Sequence, residues 1–368
     1  MLKNTNLNIM VLVLCALLCA SCNNGDYTNA LPRNCIAIIE SPANALGIDI
    51  EGIDTTKHTY YFEMADGTLG LCAPVDEEVK VDEYLHHQNT EGTTDNFTEY
   101  NGIQFCTMEG KWVVGYNNTS LLIMGPIIPS ERSKTVRRIS QLMNQEEERS
   151  VKNAEIWKHL QENTTENNST AKMAITISAL PEQMMSALSL GMPRGATPEE
   201  IILEGGITLT GNTMEMNGHM CSYDSNTKQQ LQENQKTIFR PLTNISPDAE
   251  TTSADSSLIS IFMNIDGNTF MPHLHDNKQL NTMLLGTEAY EKLKQTNGNV
   301  GIMIDASNVS GENKYKVNVK DIVNQDNKPK EPVRLIVTLN VDMLKQTIGN
   351  TIVPLPQKVN RIICSLKE

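Results

Sequence analysis

The feature that most constrains this chain is a pattern met four times: an alternating apolar stretch that runs straight into a short amphipathic one, at residues 36–46, 174–188, 259–270 and 335–348. Alternation with period two buries one face of a strand, and a switch to a period near 3.6 turns the chain into a helix. The fold class this implies is α+β, antiparallel sheets with short helices. The copies are unevenly spaced, so they do not form a solenoid of fixed period. They read instead as a duplicated α+β unit distributed over two or more related lobes.

Turn chemistry points to antiparallel pairing. Asp66-Gly67 lies between strand-like runs at 59–64 and 69–73, and Gly211-Asn212 between 200–210 and 213–222. Glycine supplies the positive φ that a tight hairpin needs. Runs at 102–108, 111–116 and 119–124 form a meander through Glu109-Gly110 and Asn117-Asn118. Beyond Ser130 the period changes, with Val136, Ile139, Leu142 and Met143 on one helical face and Arg132, Arg137 and Arg138 off it. In the run 213–222, Met214, Met216 and Met220 alternate with Glu215, Asn217, His219 and Cys221, which sends His219 away from the core. Residues 76–98 read as a polar loop and 243–256, rich in Ser, Thr, Asp and Ala, as a linker. The expected organisation is an N-terminal α+β lobe at 33–163 and a C-terminal α+β lobe at 171–368, with a candidate internal boundary at 243–256.

The leader sets topology. Lys3 precedes an apolar run from Ile9 to Ala20. That run is long enough for the core of a signal peptide and shorter than the roughly 20 residues a membrane-spanning helix needs. Residues 1–21 are therefore read as a signal peptide. Ala20 and Ser21 directly before Cys22 resemble the lipobox of bacterial lipoproteins, which implies that Cys22 is acylated and becomes the first residue, with 22–32 forming the lipidated Cys and its tether. Cys19 stands where that motif usually has Leu, so ordinary secretory cleavage is the alternative. Each buried acyl CH₂ contributes about 0.8 kcal/mol, enough for two or three chains to hold a protein body on a membrane.

With this leader, the tract Asp26-Tyr27-Thr28-Asn29-Ala30-Leu31-Pro32, an immediate alternating strand and later strand-helix units, the chain resembles exported lipoproteins of unknown function common in Bacteroidetes. The resemblance implies a bacterial cell-envelope location, with the outer membrane favoured, and carries no catalytic residues with it. Thirty Lys and Arg against 44 Asp and Glu give a net charge of −14, which argues against nucleic acid as a partner.

Cys35, Cys72, Cys106, Cys221 and Cys364 are irregularly spaced with no CxxC pair, so neither a disulfide framework nor a zinc motif stands out. They read as buried small hydrophobes, with one disulfide as the alternative. The sequence holds no GxSxG elbow, Walker loop, HExxH or EF-hand loop. The best metal-like group is His273, His275 and Asp276, where alternate residues on an extended segment would aim two imidazoles one way beside a carboxylate. His86-His87 reads as loop, and His58 and His159 stand alone. Arg132, Lys134, Arg137 and Arg138 read as a solvated helix face able to meet an anionic glycan or acidic partner. The expectation is a membrane-anchored envelope lipoprotein with a non-enzymatic binding or assembly role for an envelope protein or glycan, and no cofactor. The alternative is an exported hydrolase, metal-dependent through His273, His275 and Asp276.

Overall fold

Among the described residues fifteen strands join in one sheet: β1 (Cys35–Pro42), β2 (His58–Met64), β3 (Leu69–Pro74), β4 (Thr94–Tyr100), β5 (Ile103–Met108), β6 (Trp112–Tyr116), β7 (Ser120–Gly125), β8 (Ala171–Thr176), β9 (Ile201–Thr210), β10 (Thr213–Ser222), β11 (Ile259–Asp266), β12 (Asn297–Asp305), β13 (Lys316–Asp321), β14 (Val333–Asn340) and β15 (Arg361–Lys367). Their order across the sheet is β13-β12-β11-β14-β15-β10-β9-β8-β1-β2-β3-β7-β6-β5-β4. All these pairs are antiparallel except β10 with β15, which run parallel. The computed structural model describes residues 25–43, 45, 50–163, 169–242, 257–305, 316–321, 333–343 and 359–367. The leader, Cys22 and the expected linker at 243–256 lie outside them.

The four repeats of the sequence pattern supply β1, β8, β11 and β14, and these pair with one another. β1 lies antiparallel to β8, Ile38 facing Ala174, and β11 lies antiparallel to β14, Ile261 facing Val337. Each of these strands is rich in β-branched and apolar residues, as a strand buried on both faces requires. The α+β class therefore holds, as one large, mostly antiparallel sheet. The β1–β8 ladder joins strands from either side of residues 163–171 within that sheet.

Helices cover both faces: α1 (Glu78–Thr90), α2 (Arg132–Met143), α3 (Glu155–Glu162), α4 (Glu182–Leu188), α5 (Ser225–Ile238), α6 (Gly267–Asp276), α7 (Lys278–Leu284) and α8 (Glu288–Gln295). One core lies between α4–α8 and one face of the second half of the sheet; it contains Met184, Leu231, Phe270, Leu280 and Leu293 with Leu203, Met216 and Ile261. A second core lies under α2 and α3, where Val136, Ile139, Ile156 and Leu160 meet Ile38, Phe105, Ala174 and Ile202. Alternation along β1 divides its side chains between them, Ala37 going to the first and Ile38 to the second.

Two expected stretches fold differently. Within 76–98, read as loop, residues 78–90 form α1, and Thr94–Tyr100 forms the edge strand β4. Only Val81 and Leu85 of α1 are buried, one helical turn apart, so the apolar signal is thin and tertiary packing on Leu71, Val75 and Val114 makes the helix. The tract read as tether is part of the body from residue 26 onward. Asp26 caps a 3₁₀ turn, Tyr27–Ala30, and Ala30 and Leu31 are buried in the second core. The Val151 amide donates to the Leu31 carbonyl at 3.1 Å and ties this tract to the 3₁₀ turn Val151–Asn153 that precedes α3.

Candidate functional site

The Gly211-Asn212 turn fixes the register of β9 and β10: Thr210 pairs with Thr213, and counting outward Glu204 lies directly opposite His219. Leu203, Met216 and Met220 point into the α4–α8 layer. Their neighbours Glu204, His219 and Cys221 therefore point to the other face, beneath α3. α3 is held over this spot by Ile156 and Leu160 in the core beneath it. Asn163, which follows its last residue, donates to the carbonyls of Gly205 at 2.7 Å and Met173 at 3.2 Å. The helix thereby brings His159 onto Glu204.

The carboxylate of Glu204 lies between two imidazoles. His159 Nδ1 is 2.8 Å from Oε2, and His219 Nε2 is 2.7 Å from Oε1. The Glu204 and His159 side chains are nearly buried, at 11% and 15% exposure, while His219 is half exposed and forms the solvent side of the group. Tyr223 sets its ring edge-on to His159, centroids 5.7 Å apart. A ring nitrogen of His159, a Glu204 oxygen and Cys221 Sγ all lie within 4.8 Å of one another. No other His, Cys, Asp or Glu group with this convergence occurs among the described residues.

Electrostatics follow from that arrangement. Burial pushes the Glu204 carboxyl up, but hydrogen bonds from His159 and His219 outweigh it and bring it down to about 2. Contact with Cys221 and the hydrogen bond to Glu204 raise His159 to about 10, against the opposing effect of burial. The charged pair is thus stable across neutral pH. Cys221 is 1% exposed, so its sulfur has no open approach for a substrate and the group is not arranged as a nucleophile and base.

The residues singled out in the sequence fall elsewhere. His273, His275 and Asp276 lie on α6, not on an extended segment. Two positions apart on a helix, the imidazoles diverge, and both Asp276 oxygens accept from the Arg194 guanidinium at 3.1 Å. Pro272 is accommodated inside that helix. On α1, His86 stacks on Phe97 and His87 faces Glu91. His58 Nδ1 meets Glu40 at 2.9 Å. All five described cysteines are free and buried.

Of the basic group, Arg132 donates to Thr107 at 2.8 Å and Arg138 pairs with Asp66 at 2.8 Å, whereas Lys134 and Arg137 are exposed. Arg138 also lines an open polar groove with Asn34, Asn101, Gln141, Gln145 and Arg149. One wall of this groove is tied to the N-terminal tract, since Gln145 Nε2 donates to the carbonyls of Asn29 and Leu31 at 2.6 and 3.1 Å.

The site and fold define a mixed α+β protein of one continuous sheet with a His-Glu-His group, buried at His159 and Glu204 and open at His219, beside a thiol. The sequence model for a domain of unknown function, DUF4836, matches residues 35–320, and the chain belongs to that family. Among solved structures it is similar, at 13% identity, to two crystal forms of TP0453, a treponemal lipoprotein, with TM-scores of 0.32 and 0.30. Each covers 51% of this chain, and the matches span 75% and 76% of the TP0453 chains. No curated protein matches the sequence.

Proposed function

We propose that this protein is a lipid-anchored component of the bacterial cell envelope, held through acylated Cys22, whose body binds an envelope protein or glycan and performs no catalysis. The observation that carries the reading is the leader: a short apolar run, then Ala20, Ser21 and Cys22, only three residues before the first described residue, Gly25. Three residues span at most about 11 Å, so an acylated Cys22 would hold the body close against the bilayer. No helix among the described residues is long and apolar enough to cross a membrane.

The polar groove beside the N-terminal tract supports the binding role. Amides and guanidinium groups on an open surface suit hydroxyl-rich or anionic partners, through several modest hydrogen bonds. The lobes of the sequence reading would then be two related halves of one sheet, the first bearing the groove.

Labelling with a radioactive fatty acid, followed by membrane fractionation, tests the anchor. Wild-type protein is expected to carry label and sediment with membranes, and Cys22→Ala to lose both; label retained by Cys22→Ala would overturn it. Binding is tested on a panel of envelope glycans and extracts with the surface variants Gln141→Ala and Arg149→Ala, which should weaken capture without changing the melting temperature. Turnover of a substrate in hydrolase panels would refute the non-catalytic part.

A further inference from the structure

We propose that His159, Glu204 and Cys221 form a binding site for a single zinc ion, with His219 orienting the Glu204 ligand from outside the coordination sphere. The argument begins with donor chemistry. Imidazole, carboxylate and thiolate are the three protein ligand types that zinc takes, and zinc tolerates their mixture because its filled d shell imposes no geometry of its own. These three side chains come from separate elements, α3, β9 and β10, and converge with their donor atoms within 4.8 Å of one another. Tetrahedral zinc with bonds of about 2.0–2.3 Å places its ligand atoms about 3.3–3.7 Å apart. To take that spacing the 2.8 Å His159–Glu204 contact would open and the sulfur would draw in.

Two further observations favour a metal over an ion cluster complete in itself. One is the thiol. Cys35, Cys72 and Cys364 lie in the apolar cores, where burial pushes their thiols up. Cys221 is as buried as they are but lies against a carboxylate and an imidazole, hydrogen-bonding with His159 besides a long contact, 3.8 Å, to the Ser222 carbonyl. A core hydrophobe gains nothing from that setting, whereas a thiolate ligand needs it. The other is His219, whose 2.7 Å contact to the second Glu204 oxygen is the outer-shell hydrogen bond that fixes a metal-bound carboxylate.

Charge balances. Zinc with a neutral imidazole, a carboxylate and a thiolate sums to zero, so the loaded site puts no net charge into the core. The ion would clamp α3 to β9 and β10, next to the β1–β8 ladder that joins the two halves of the sheet. A water molecule on the side of His219 would complete the coordination.

The test uses the full chain purified in detergent without chelator. Elemental analysis is expected to find one zinc per chain. After exchange, cobalt should give a thiolate-to-cobalt charge-transfer band. Cys221→Ala should lose that band. His219→Ala should keep it while weakening zinc binding about 10–100-fold. Absence of both zinc and the cobalt band in the wild type would overturn the proposal, as would a band of equal strength in Cys221→Ala. Should Cys221→Ala fail to reach the wild-type circular dichroism spectrum, Glu204→Gln, which keeps the shape of the side chain, replaces it: wild-type zinc affinity in that variant would also refute the site.

Discussion

Gly205 and Gly218 face each other across β9 and β10 with no room for a side chain between the strands. A Cβ on Gly205 would lie 2.1 Å from the Asn217 carbonyl oxygen, and one on Gly218 would lie 2.2 Å from that of Glu204. The obstacle in both cases is backbone, which cannot swing aside. Gly205→Ala or Gly218→Ala should therefore cost about 1–3 kcal/mol through forced separation of the strands. Each glycine adjoins a member of the His-Glu-His group, so the same variants should also disturb the His159 and His219 resonances. Urea denaturation and histidine NMR check the two effects together.

The His159–Glu204 pair makes the metal-free protein sensitive to pH on both sides. His159 is raised from 6.5 to about 10, so its contribution is complete below about pH 6.5 and is lost as pH rises through about 10. Glu204 is lowered from 4.5 to about 2, so its contribution is complete above about pH 4.5 and is lost as pH falls through about 2. The full benefit spans pH 4.5–6.5. His219, Cys221 and Tyr223 also face the pair from β10 and the residue beyond it, and Glu155 lies on α3 itself. Melting temperature against pH in the presence of chelator should show this plateau, and Glu204→Gln should flatten both shoulders.

Leu31 separates a packed N-terminal tract from a flexible one. It is fully buried against the second core, and Leu31→Ala should cost about 2–5 kcal/mol in denaturant unfolding. A tether residue would give no change.

Thiol reactivity reports on the cysteines. Cys35, Cys72, Cys106, Cys221 and Cys364 are free and buried. In native protein produced without residues 1–22 Ellman's reagent should find next to no thiol, and in denaturant all five without prior reduction. A disulfide would lower the denatured titre.

Much of the sheet was legible from residues alone, because alternation and turn chemistry act locally. Asp66-Gly67, Glu109-Gly110 and Gly211-Asn212 each join the strands expected of them, with positive φ at every one of these glycines. α1 was not legible: two buried residues, Val81 and Leu85, do not make a periodic face, and its helicity depends on partners distant in sequence. The candidate site was half legible. The register from Gly211-Asn212 places Glu204 opposite His219, and the alternation of β10 puts Cys221 on the same face, two residues on. His159 comes from another element and was beyond any local pattern. His273 and His275 misled because their two-residue spacing converges on a strand and diverges on the helix they occupy.

The position of β15 governs how this sheet can be assembled in time. It follows every other described strand yet pairs with β14 on one side and, in parallel, with β10 on the other, Cys364 lying in register with both Val337 and Met216. While it is missing, β10 and β14 each present an unpaired edge, and the sheet exists as two pieces. Closure therefore waits for residues 361–367 and depends on contacts of very long sequence separation, the slowest kind to form. In that interval the two open edges are templates for any other extended chain, so the step most exposed to chaperone control or to mispairing is the arrival of a single seven-residue strand.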